Sequence, residues 1–102
     1  MPVTYVIRFA VKPAHVPPFL SLLNGVLDAM REEPMFHEAI LHRDPENAAQ
    51  FMLYETWEDH EDVLKVQVHR SYRKDFHEAL PDLLAESRDI SVWQPVRADR
   101  KV

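Results

Sequence analysis

The chain has 102 residues, of which 46% are hydrophobic and 28% are charged, with no cysteine and a net charge of −5. The lack of cysteine excludes disulfides, thiolate nucleophiles and zinc–sulfur sites. Twelve basic residues against 17 acidic ones argue against general nucleic-acid binding, and a single glycine excludes glycine-rich phosphate loops.

The length predicts one domain over residues 1–102, with a basic tail at 97–102 that we expect to be frayed. No apolar stretch approaches the roughly 20 residues needed to cross a bilayer. The N-terminus lacks the basic start and apolar run of a signal peptide. We therefore expect no membrane partner and a cytoplasmic location.

The first half of the chain predicts a strand, a helix and a second strand. Val3–Val11 alternates as a strand does, and proline at 17 and 18 suits the first turn of a helix over Pro18–Arg31. Gly25 lies inside that helix, where it costs about 1 kcal/mol against alanine. This cost predicts close packing of the helix on a sheet. Met35–Arg43 predicts the second strand.

The second half predicts two strands and two helices. Gln50–Trp57 is apolar and aromatic, as a half-buried strand is, and Asp59 is placed to cap the helix that follows. Pro81 is expected to kink or break the longer helix. The predicted ranges after the third strand are Asp59–Gln67 and His69–Ala85 for the helices and Asp89–Val96 for the fourth strand.

The resulting order, β-α-β-β-α-β, predicts an α+β, ferredoxin-like split βαβ fold. Such a fold has a four-stranded antiparallel sheet with helices on one face. The other face is predicted to carry apolar side chains, and an exposed apolar face predicts a partner, most simply a second copy in a homodimer. The outward candidates are Val6, Ala10, Phe36, Ile40 and Met52.

Four separate segments carry a resemblance to a known family, and together they cover nearly the whole chain. The chain resembles the antibiotic-biosynthesis monooxygenase domain family, within the dimeric α/β-barrel superfamily. The matching segments are Arg8–Pro13, Leu41–Pro45, Tyr54–Asp59 and Leu80–Ala85.

The resemblance implies a homodimer whose sheets pack face to face, with a cavity between sheet and helices in each subunit. It implies an oxygenase that uses no metal, flavin or haem as cofactor. The implied substrate is a small aromatic phenol or quinol, such as a polyketide. Once deprotonated, that substrate passes an electron to dioxygen itself, and the protein binds it, favours its anion and excludes water.

Two marker positions of the family differ in this chain. Members often carry a histidine about ten residues after the tryptophan, and here Gln67 holds that position, with His69 two residues later. Glutamine binds a substrate by hydrogen bonds but takes no proton near neutral pH. The haem-degrading branch carries an asparagine on strand one where this chain has Ile7, so haem degradation is disfavoured.

Each candidate residue has a functional and a structural interpretation. Trp57 either stacks on a flat ligand or fills the core. Tyr72 and Phe76 share a helix stripe that either belongs to the core or lines a pocket mouth. His69, Arg73 and His77 recur at four-residue spacing, so they form either a base and cation for an anionic substrate or a solvated face. No histidine pair has metal-ligand spacing, so no metal site is predicted.

The sequence hypothesis is a cofactor-independent monooxygenase for a small aromatic substrate. His69 is the candidate base and Arg73 the candidate cation. Substrate binding is assigned to Trp57, Gln67, Tyr72 and Phe76. The alternative is a non-catalytic dimeric domain that binds a small ligand or is associated with stress.

Overall fold

A computed structural model describes residues 1–102 and confirms the predicted order of strands and helices. The strands are β1 Val3–Ala10, β2 Phe36–Asp44, β3 Asn47–Trp57 and β4 Asp89–Trp93. The helices are α1 Val16–Met30, α2 His60–Lys65 and α3 Lys74–Leu83, with short 3-10 turns at Pro13–His15, Gln67–His69 and Ser71–Arg73.

The four strands form one antiparallel sheet in the order β2-β3-β1-β4. This order confirms the α+β, ferredoxin-like prediction. In the central pair Tyr5 lies opposite Glu55, Ile7 opposite Leu53 and Phe9 opposite Phe51. Because side chains alternate along a strand, all six point to one face of the sheet.

The hydrophobic core lies between that face and the helices. Phe19 and Leu23 of α1 and Phe76 and Leu80 of α3 are buried against the sheet. Their spacing of four places each pair on one side of its helix. Asp59 caps α2 as predicted, because its Oδ2 accepts the Asp62 backbone N–H at 3.1 Å.

The predicted helix over His69–Ala85 is wrong at its start. Arg70 has an extended backbone, with ψ at 133°, and it separates the turn that holds His69 from the turn that precedes α3. The α-helix begins only at Lys74, so His69, Arg73 and His77 do not share one continuous helix face. Pro81 lies in the last turn, and α3 ends two residues later at Leu83.

The predicted outward position of Phe36 is wrong. Phe36 lies opposite Trp57, and their rings pack edge to face with centroids 5.3 Å apart. The register shifts between Phe36 and Glu38, so one strand changes which residues face the helices. Beyond the shift, Ile40 lies opposite Tyr54 on the outer face, and Met52 and Val6 share that face.

The predicted close packing at Gly25 is also wrong. Gly25 is exposed, and a Cβ atom added there would meet no atom within 4 Å. Contact with the sheet therefore does not explain the glycine.

Residues 94–102 lie in no helix or strand, and the guanidinium of Arg100 approaches Glu38 at 3.9 Å. None of the helices is long and apolar enough to cross a membrane.

Candidate functional site

A buried carboxyl group lies at the centre of the helix-covered face. Glu55 and Trp57 are two residues apart on β3, so both point toward the helices, and they are only 6% and 0% exposed. The Trp57 Nε1–H donates to Glu55 Oε1 at 3.2 Å. Burial raises the pKa of Glu55, although the positive charges of Arg73 and Arg88 and the bond from Trp57 oppose that rise.

Arg73 lies beside this carboxyl. The centre of its guanidinium is 5.7 Å from the ring centroid of Trp57 and 5.5 Å from that of Tyr72. Both distances are in the range of cation–π contacts. Its Nε–H is buried and has no hydrogen-bond partner. The side chain is therefore positioned by aromatic rings and keeps a donor free.

Tyr5 is a further polar residue beside the buried carboxyl group. It lies directly opposite Glu55 in the register of β1 and β3. Its hydroxyl is 2.6 Å from Nδ1 of His60, at the start of α2. Burial, and then the negative charges of Glu55 and Asp59, raise the pKa of Tyr5 to about 12. The phenol is therefore neutral at physiological pH.

An open cleft of about 510 Å³ lies between the second half of α3 and the loop that leads to β4. Arg88 lines the cleft, and its positive charge also lowers the pKa of Glu55. Burial, and then the positive charges of Arg88 and Arg73, lower the pKa of His77. The other lining residues are Leu80, Pro81, Leu84, Ala85, Glu86 and Ser87.

Two of the predicted substrate-binding residues are packed on all sides. Trp57 is fully buried, so its indole presents no free face to a ligand in this conformation. Phe76 is 4% exposed and packs between Phe9 and Phe19 in the core. Of the predicted catalytic pair, Arg73 lies at the site, whereas His69 lies exposed in the turn after α2.

Gln67 and Tyr72 belong to a separate polar network around Glu33. The amide nitrogen of Gln67 donates to Glu33 and Asp62, each at 3.2 Å, and the Tyr72 hydroxyl donates to Glu33 at 3.3 Å. Arg70 Nε lies 3.0 Å from the same carboxylate. Gln67 is 1% exposed and its carbonyl oxygen has no partner. The network joins the end of α1 to the turns before α3.

Sequence reasoning missed Glu55, Tyr5 and Arg88 as site residues. One signal was available for Glu55: it precedes Trp57 by two residues in a strand, so the two must share a face. Glutamate is rarely buried in proteins, so a glutamate on the same side of a strand as a buried tryptophan is a candidate for a functional residue. No three histidine, aspartate or glutamate side chains are arranged to hold a metal ion.

The model of the antibiotic biosynthesis monooxygenase family matches residues 2–79 of the chain. The chain belongs to this family. Membership supports a monooxygenase-type function. The matched range contains β1 to β3 and Arg73, while Arg88 and β4 lie beyond it.

One protein is similar to this chain in sequence, and two solved structures share its fold. "Putative monooxygenase GME11364" of Pestalotiopsis microspora is 28% identical over 88 residues, which are 85% of this chain and 73% of that protein. The fold is shared with Rv0793 of Mycobacterium tuberculosis, at a TM-score of 0.87 and 17% identity over 98% of this chain and all of that one. It is also shared with a point mutant of SnoaB, a cofactor-independent oxygenase from Streptomyces nogalater, at a TM-score of 0.80 and 20% identity over 95% of each chain.

Proposed function

We propose that the chain is a cofactor-independent monooxygenase for a small aromatic phenol or quinol, such as a polyketide. The observation that carries the proposal is the Glu55 carboxyl, buried beside Arg73 and held by Trp57. Burial raises its pKa, so it is a stronger base than an ordinary glutamate. A base of this kind suits the first step of the proposed reaction.

Glu55 and Arg73 would act on the same phenol oxygen. Glu55 Oε1 accepts from Trp57, whereas Oε2 has no partner within the chain and is not fully buried. This second oxygen is the one we assign to take the phenolic proton. The half-buried guanidinium of Arg73, which forms no ion pair within the chain, would then hold the phenolate, which exists only after that transfer.

The reaction balances without an external reductant. The phenolate gives one electron to dioxygen, and the superoxide and the phenoxyl radical combine into a peroxide on a ring carbon that carries a hydrogen atom. The peroxide takes the proton from Glu55. Loss of water from this hydroperoxide then breaks the O–O bond and the C–H bond of the same carbon, and it leaves a carbonyl. One oxygen atom enters the product, the other leaves as water, and the substrate supplies all four electrons.

The remaining candidate residues receive supporting roles in this proposal. Trp57 would orient the carboxyl and support Arg73, since its own ring is covered. Gln67 and Tyr72 would hold the turns before α3 in place through Glu33, and Phe76 would hold α3 on the sheet. His69 is the competing candidate for the base, and separate substitutions of His69 and Glu55 distinguish the two.

Oxygen consumption tests the proposal directly. Metal-stripped protein should consume dioxygen above the spontaneous rate with at least one member of a broad panel of phenols and quinols, in the presence of a chelator. An oxygen electrode gives the rate, and boiled protein gives the background. Rates equal to the background across the panel would contradict the proposal.

The alternative function is a non-catalytic domain that binds a small ligand. The complete burial of Trp57 and the exposure of His69 favour it, because both were predicted to act on the ligand. A binder would be stabilised by aromatic ligands in thermal unfolding without consuming oxygen. The two measurements, made on the same panel, decide between the functions.

We also propose a homodimer through the outer face of the sheet. Ile40, Met52 and Val6 lie there on three adjacent strands, and Ile40 and Trp93 are 45% and 60% exposed. Burial of such apolar area stabilises association by about 25 cal/mol per Å². Sedimentation at micromolar concentration should give the mass of two chains, and a mass of one chain would contradict this assignment.

A further inference from the structure

Two half-buried arginines of the site lack a carboxylate partner. Neither Arg73 nor Arg88 forms an ion pair, and the Nε–H of Arg73 is fully buried without an acceptor. Charged groups that leave water are ordinarily paired. Four exposed arginines do have carboxylate partners, namely Arg31, Arg70, Arg97 and Arg100.

The positive charges of both arginines lower the pKa of one shared carboxyl group, Glu55. The acidic residue that lines the cleft is Glu86, which is exposed in the loop before β4. A chain with a net charge of −5 thus holds two unpaired guanidinium groups close together. Burying two unpaired positive charges costs free energy. An anionic ligand bound beside them would offset part of that cost.

The cleft beside Arg88 has the volume of a site for a small organic molecule. Its volume of about 510 Å³ falls within the range of small-molecule pockets. Leu80, Pro81 and Leu84 provide apolar contact along one side. Burial and the neighbouring guanidinium groups lower the pKa of His77, so its imidazole is neutral and can donate one hydrogen bond.

We infer that Arg88 and His77 form a carboxylate subsite, and that the ligand of this cleft is an aromatic acid whose ring contacts Leu80 and Leu84. The inference rests on the proposed function for the position of the reacting ring beside Glu55 and Arg73. It goes further in assigning a second, permanent negative charge to the substrate. Arg88 is then a specificity-determining residue and takes no part in the proton transfer.

The geometry of a guanidinium favours a carboxylate over a neutral group of the same shape. Its planar fork matches the two carboxylate oxygens, and charge-assisted hydrogen bonds are about twice as strong as neutral ones. Loss of one such contact is expected to weaken binding by roughly tenfold to a hundredfold. A neutral analogue never makes this charged contact, so its binding would not be weakened by removal of the guanidinium.

Binding of a matched set of ligands tests the subsite without turnover. The probes are the naphthoate anion, its amide and its methyl ester, measured by calorimetry with the full chain. We expect naphthoate to bind at least tenfold more tightly than either neutral probe. Arg88→Gln should remove this preference and leave the affinity for the amide within about twofold.

Arg97→Gln is the matched control, because it removes the same charge from an exposed arginine that is paired with Asp99. It should keep the preference for naphthoate. Arg88→Lys, which keeps the charge and loses the planar guanidinium, should retain only part of the preference. It replaces Arg88→Gln if that variant does not fold.

Equal affinity of the wild-type chain for all three probes, or a full preference in Arg88→Gln, would overturn the inference. Oxygen uptake with neutral quinols would be unaffected by that result, so the two proposals fail separately.

Discussion

Replacement of Glu55 by glutamine is expected to lower the rate of oxygen uptake by roughly a hundredfold to ten-thousandfold, the usual contribution of a general base. Glutamine has the shape of glutamate, and its side-chain oxygen can still accept the Trp57 N–H. The variant therefore loses the proton acceptor and keeps the packing. Initial rates with the best phenol or quinol of the panel measure the effect.

The same variant should be more stable than the wild-type chain at neutral pH. Burial raises the pKa of Glu55 above its ordinary value of 4.5. Glu55 therefore contributes its full stability below its ordinary pKa of 4.5, where it is protonated in both states. That contribution is lost as the pH rises through the higher pKa of the folded state. Because Glu55→Gln has no proton to lose, its advantage in thermal unfolding should be small at pH 4 and larger at pH 8.

Two further variants control this experiment. Glu61→Gln makes the same chemical change at an exposed position of α2, where the carboxylate pairs only with the exposed Lys65. It should leave the rate unchanged and alter the stability by no more than about 0.5 kcal/mol. His69→Ala tests the competing base. A large loss of activity in His69→Ala, with normal activity in Glu55→Gln, would assign the proton transfer to His69 and refute the role given to Glu55.

Replacement of Phe19 by alanine is expected to remove about 3–5 kcal/mol from the free energy of unfolding. Phe19 is completely buried, and its ring centroid lies 5.1 Å from that of Phe9, 5.2 Å from Phe51 and 6.0 Å from Phe76. The cavity left would open at the contact of α1, α3 and the sheet. A domain of this size has only about 5–15 kcal/mol to lose.

Urea unfolding followed by circular dichroism measures the loss at Phe19. Ser21→Ala, on the exposed side of the same helix, is the control and should change the stability by less than about 0.5 kcal/mol. A loss below about 1 kcal/mol for Phe19→Ala would show that the aromatic cluster is not the centre of the core.

Most of the fold could be predicted from local pattern. The alternation around Tyr5, Ile7 and Phe9 and the spacing of Phe19 and Leu23 depend only on the periods of a strand and a helix. The errors arose where the chain departs from those periods. The register shift after Phe36 moved that ring to the core, and the extended backbone at Arg70 ended a helix that the spacing continued.

The site was harder to predict because its residues come from distant parts of the chain. Tyr5, Glu55 and Arg73 meet through strand pairing and helix packing, which local spacing does not specify. Arg88 carried no local signal, since a single arginine in a loop is ordinarily solvated. Its significance depends on burial and on the lack of a carboxylate partner, and both are properties of the folded chain.

Labelled dioxygen provides the most direct test of the proposed chemistry. With ¹⁸O₂, a chelator and the best substrate of the panel, mass spectrometry should find one labelled oxygen atom in the product and one in water for each dioxygen consumed. Two labelled atoms in the product, release of hydrogen peroxide in place of labelled product, or no consumption above background would each contradict a monooxygenase that works through Glu55 and Arg73.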